Sequence, residues 1–186
     1  MRNMLFCLAG LALVAACSKA PTNAPAANAA APQASAAPPA ATPAATPAFT
    51  AGPAVSGTYL GNGKPAMLTQ VTAHKDDPFD GTPVTDLVFT AKDQGDDANA
   101  ATDALFAKFG DAIVAKVEPD GTVVGVDVIH SGLQSPSGSI SISGSFTMKD
   151  YSEAGGQISG HLTSNGPVDV FDQKVEADLT FHAKAP

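Results

Sequence analysis

"KVEADLTFHA", residues 174–183, decides the fold. Val175, Ala177, Leu179 and Phe181 fall on one parity, and Lys174, Glu176, Asp178, Thr180 and His182 on the other. Side chains of a strand point alternately to opposite faces. A strict period of two with one wet face therefore marks an antiparallel strand over a core. Working outward, "GQISGHLTS" (156–164) repeats the pattern, with Ile158 and Leu162 opposite Ser159, His161 and Thr163. "GSISISGSFTMK" (138–149) sets Ile140, Ile142, Phe146 and Met148 against Ser139, Ser141, Ser143 and Ser145.

Upstream, "VSGTYLG" (55–61) and "PAMLTQVTAH" (65–74) flank Asn62-Gly63, a two-residue hairpin signal. "VTDLVFTAK" (84–92) follows an acidic, proline-bearing stretch read as a loop. "AIVAKVE" (112–118) and "TVVGVDVIH" (122–130) flank the turn Pro119-Asp120-Gly121. One helix is expected in "DDANAATDALFAKFG" (96–110), with Asp96 or Asp97 as N-cap, an apolar stripe of Leu105, Phe106 and Phe109, and Gly110 as its stop. The expectation is a mainly β domain of about eight antiparallel strands with one short helix between the third and fourth. Short turns in up-and-down order predict a small barrel or a curved meander sandwich.

That domain spans residues 51–186, and two unlike segments precede it. Residues 5–16 form an apolar run behind Arg2, about a dozen residues long and too short for the roughly 20 of a spanning helix. It reads as the apolar centre of a signal peptide covering 1–16. Residues 18–48 are almost entirely alanine and proline with scattered polar residues; the prolines break helix, and no periodicity offers a face to bury. With Cys17, residues 17–50 are read as a disordered, partly polyproline tether.

The run ends in Val14-Ala15-Ala16-Cys17, which resembles the lipobox of bacterial membrane lipoproteins. The resemblance covers residues 1–18 and implies that the Cys17 sulfur carries a diacylglyceryl group and becomes the first residue after cleavage. Such cysteines carry acyl chains such as palmitate, typically three in organisms with an outer membrane. Ser18 follows in place of the aspartate that retains family members at the inner membrane. The implied location is the cell envelope, anchored to the outer membrane at its periplasmic face or at the cell surface. Cys7 falls in the discarded segment, so the mature chain keeps no free thiol. The β domain itself resembles only uncharacterised β-rich lipoprotein modules, which imply no activity.

Charge narrows the partners. The chain carries -8 overall, and the domain, with eight lysines against eighteen acids, about -10. Arg2 is the only arginine and tryptophan is absent, so neither phosphate clamping nor base stacking is expected, and nucleic acid is excluded as a partner. "HKDDPFDGTP" (74–83) fails as a calcium loop beginning at Asp76, because Pro78 takes the third position and Leu87 the twelfth. "GNGKPA" (61–66) fits a dinucleotide fingerprint formally but lies between strands, and is read as a turn. No nucleophile elbow or zinc-protease motif occurs in the domain, and no cofactor is expected. His161 and His182, near Glu176 and Asp178, share the wet faces of the last two strands and form the weak candidate metal site. His130 is read as a rim or core histidine.

Three functions stay open. The first is a noncatalytic, membrane-anchored binding module for a protein or envelope component, preferring a basic partner. In its sharper form it is an inhibitor or immunity-type protein against a basic cell-wall hydrolase. The second is carriage of a small apolar molecule inside a barrel. The third is a metal-dependent activity at His161 and His182.

Overall fold

The computed structural model describes residues 54–134 and 139–186. The signal segment 1–16, Cys17 with its lipobox, and the tether lie outside the described residues. The elements in chain order are β1 (Val55–Gly61), β2 (Lys64–Ala66), β3 (Gln70–Phe79), β4 (Thr82–Thr90), α1 (Ala100–Leu105), β5 (Ala112–Val117) and β6 (Val123–Ile129). They continue with β7 (Ile140–Ile142), β8 (Thr147–Ala154), β9 (Gln157–Thr163), β10 (Val168–Val170) and β11 (Gln173–Lys184). One sheet runs β2-β1-β11-β9-β8, with β10 added on β11; the other runs β3-β4-β5-β6-β7. Every pairing is antiparallel.

The strand that decided the fold is the centre of the first sheet. Val175, Ala177, Leu179, Phe181 and Ala183 of β11 are buried, while the alternate residues are half-buried or exposed. Across the gap, the Phe181 ring meets Phe89 of β4 edge-on at 5.1 Å. Leu87, Ile113 and Val128 from the second sheet complete one core with Tyr59, Ile158 and Leu162 from the first. Each sheet keeps its own edges, β2 and β8 in one and β3 and β7 in the other. Of the two architectures expected, the sandwich is the one formed; among the described residues there is no closed barrel.

Two segments read as single strands switch sheets instead. "PAMLTQVTAH" divides into β2, paired with β1, and β3, paired with β4, with Met67, Leu68 and Thr69 crossing between. "GSISISGSFTMK" divides into β7 on β6 and β8 on β9, where Gly144 at φ 75° turns the chain. Alternation survives such a crossing because both halves still face one core. Together with the short β10, these splits raise the count to eleven strands among the described residues. The stretch read as an acidic loop is the outer half of β3 and a tight turn. Asp80 and Gly81 both take positive φ, as a two-residue hairpin of this hand requires, as do Asn62 and Gly63.

The helix is shorter than expected. Asn99, not Asp96 or Asp97, precedes α1, and its side chain makes no capping bond. Asp97 instead accepts from the Asn99 N–H at 2.9 Å in a turn. Ala100 and Ala104 face the sheet, Phe109 is buried beyond the helix end, and Phe106 is 71% exposed. Ala100, Ala104 and Phe109 form a second apolar layer with Val88, Val114 and Ile129 on the outer face of the β3–β7 sheet. No described helix is long and apolar enough to cross a membrane.

Candidate functional site

On the outer face of the first sheet, register places His161 opposite Thr180 and His182 opposite Ser159. The two histidines therefore stand diagonally on neighbouring strands. His161 Nε2 lies 2.9 Å from Asp178 Oδ1, a pair open to solvent. Next to it, β8 bulges between Lys149 and Ser152, with Asp150 at φ 52°, and opens a shallow groove of about 370 Å³ lined by Asp150, Ser159, His161, Thr180 and His182. Glu176 shares the face but is paired with Leu60, six residues from His182, about 20 Å along an extended strand. Among the described residues, no three His, Cys, Asp or Glu side chains converge in a way that could hold a metal ion. The arrangement offers hydrogen bonds and charge to a ligand lying on the sheet.

A second polar cluster escaped the sequence reading. Asp86 of β4 sits between His74 of β3 and Lys116 of β5 in register. Lys116 Nζ binds Asp76 closely and Asp86 at 3.2 Å. Burial raises the Asp86 carboxyl above its ordinary pKa despite the nearby ammonium, whereas the hydrogen bond from Lys116 holds Asp76 below its own. Thr72 joins His74 Nε2, at 2.8 Å, to the buried Gln94, whose amide donates to the Val88 carbonyl at 2.8 Å. The signal was present: Asp86 has the parity of Val84 and Val88, and Lys116 that of Val114. A charge in line with apolar residues announces a paired, covered site. The cluster pins three strands together.

The third cluster is at the end of the sandwich opposite Ala54. There the β1–β2 turn, the β10–β11 turn and the loop after β6 meet. Asn62 donates to the Gly132 carbonyl at 3.0 Å and accepts from the Lys174 N–H at 2.9 Å. Gln173 donates to the Gln134 carbonyl at 3.0 Å. His130, as expected, is a core histidine. Its Nδ1 accepts from the Gly132 N–H at 2.8 Å, and its ring packs edge-on to Tyr59 at 4.7 Å. The Tyr59 hydroxyl is within 3.2 Å of the Ala112 carbonyl and 3.1 Å of the Ile129 carbonyl. Beside them, Asp111 accepts from the Ser131 N–H at 2.5 Å and more weakly from its hydroxyl at 3.4 Å. Asp111, His130 and Ser131 border a pocket of about 270 Å³. Ser131, His130 and Asp111 do not form a nucleophile relay, because the carboxylate sits on the serine and the imidazole faces a backbone amide.

His130 Nε2 is buried with no hydrogen-bond partner among the described residues. Burial lowers the imidazole pKa, against the opposing pull of Asp111. Below the unfolded value of about 6.5 the unfolded chain binds a proton that the folded chain refuses. Stability is therefore present above that pH and falls as the solution is acidified through it. Urea midpoints of the wild type should drop between about pH 7.5 and pH 5.5, and His130→Phe should show a smaller drop. Equal drops would assign the loss to other groups.

No family model, no curated protein and no solved structure matches the chain.

Proposed function

We propose that the protein is a membrane-tethered, noncatalytic binding module of the cell envelope whose acidic surface engages a basic protein partner. The observation that carries this reading is the charge left over after internal pairing. Lys108 is held by Asp97 and Asp103, Lys116 by Asp76 and Asp86, and Lys174 by Asp169. Three of the domain's eight lysines are thus held by five of its own acids, which leaves five lysines against thirteen carboxylates outside these pairs, and most of the eighteen carboxylates stand on the surface. The space between the sheets is filled by Tyr59, Leu87, Phe89, Ile113, Ile158, Leu162 and Leu179, each at most 2% exposed. That packing favours recognition at the surface over carriage of an apolar molecule in the interior. The lipobox resemblance at Cys17 supports placement at a membrane, with the outer membrane favoured by Ser18.

An inhibitor of a basic cell-wall hydrolase is the sharper form of the reading. The full chain in detergent should bind a purified basic lysozyme, with affinity falling on the order of tenfold from about 0.05 M to about 0.5 M salt. Binding to an acidic protein of similar size should be absent. Equal binding to both, or none to the basic protein at low salt, overturns the proposal.

A further inference from the structure

The pocket at the end opposite Ala54 has a chemical specificity that overall charge does not supply. Ala107, Ile129 and Leu133 give it an apolar side, His130 and Ser131 a polar one, and a single carboxylate, Asp111, stands among them. At about 270 Å³ it is smaller than the pockets that hold drug-sized ligands, and suits one long side chain. Hydrogen bonds from Asn62 and Gln173 tie the neighbouring turns to the loop after β6, so the shape exists before binding. Ala107 at φ 58° and Gly110 at φ 81° turn the chain away from α1 and open the mouth. The adjacent Lys108 does not fill it, because its ammonium is held by Asp97 at 2.7 Å and Asp103 at 2.5 Å.

We infer that this pocket receives a lysine side chain of the basic protein partner, the aliphatic stem lying on Ile129 and Leu133 and the ammonium on Asp111. The inference rests on the proposed basic partner and names the point where it docks. Lysine is favoured over arginine by the state of the carboxylate. Asp111 Oδ1 already accepts a close N–H from Ser131, while Oδ2 has only a long contact at 3.4 Å. A guanidinium fork wants both oxygens in the carboxylate plane, whereas an ammonium needs one. The apolar stem also matches the apolar side, as long basic side chains bury their methylenes while keeping the charged head at a polar rim.

The test uses the full chain in detergent and labelled pentalysine as probe at low salt. Asp111→Asn keeps the shape and an oxygen for Ser131 but removes the charge; Asp120→Asn removes the same charge from the β5–β6 turn. Asp111→Asn should weaken pentalysine about tenfold and Asp120→Asn less than twofold. The loss at Asp111 should be smaller for pentaarginine than for pentalysine. Unchanged thermal unfolding of Asp111→Asn establishes that the loss is local. If both variants lose affinity equally, the pocket is wrong while the acidic-surface reading stands. If pentalysine fails to bind the wild type at low salt, both fall.

Discussion

Cys17→Ser is expected to move the protein from the membrane fraction to the soluble fraction almost completely, and to abolish the mobility shift caused by globomycin. The reason is the size of the anchoring term. Each buried methylene contributes about 0.8 kcal/mol, so each acyl chain contributes on the order of 10 kcal/mol, and two chains or more hold a protein stably. No described helix is long and apolar enough to replace that by crossing the membrane. Its large exposed apolar side chains, Met67, Phe79, Phe106 and Phe171, come from four separate elements: the β2–β3 crossing, the end of β3, the end of α1 and the β10–β11 turn. Its negative charge is repelled by anionic headgroups. Serine offers an oxygen of similar size but no thiolate, so the change would remove the proposed site of acylation. Membrane pelleting that survives Cys17→Ser would mean that another contact holds the chain, and the proposed tethering would fail.

The parity of β11 and β9 was readable because each strand has one wet face and one dry face, and the buried residues fall where the alternation places them. The turns at Asn62-Gly63 and Asp120-Gly121 were readable for a local reason: glycine accepts the positive φ these corners need. Sheet membership was not readable. Ile142 and Phe146 are both core residues, yet one belongs to each side of the crossing at Gly144, and alternation is blind to which sheet a strand joins. The helix was overestimated because an alanine-rich stretch fits helix by propensity, while the sheet offers room for little more than one turn bearing Ala100 and Ala104.

The sites divide along the same line. His161 and Asp178 were legible as neighbours because both lie on regular strands whose pairing follows from the alternation. The pocket around Asp111 was not. Its walls come from the chain after α1, the start of β5 and the end of β6, and only the β5–β6 pairing of Ala112 with Ile129 brings them together. His130 could be placed on the inner parity of β6, but its neighbours Gly61 and Gly132 could not. A methyl at Gly61 would sit 2.5 Å from His130 Nδ1, so that glycine is there for space alone.

Gly57→Ala is expected to cause the largest loss of stability of any single-methyl change in the domain, about 4 kcal/mol. Two costs add at this position. Gly57 has φ 131°, a region that side-chain-bearing residues scarcely enter. Its Cβ would overlap the Asp178 carbonyl oxygen and stand 3.0 Å from the carbonyl carbon, both backbone atoms of the paired strand. A flexible side chain could turn aside, but the main chain of β11 is fixed by pairing with β1 on one side and β9 on the other. Relief would require prising Gly57 away from Leu179, at the heart of the sheet that carries half the core. Against a typical total stability of 5–15 kcal/mol, a loss of this size leaves a substantial unfolded population. Gly63→Ala separates the two costs, since Gly63 has φ 74° but open space around it and should lose only about 1 kcal/mol. Urea midpoints of the two variants at neutral pH give the comparison. A Gly57→Ala midpoint as close to wild type as that of Gly63→Ala would show that β1 does not lie this tightly on β11, and the pairing that centres the first sheet would have to be redrawn.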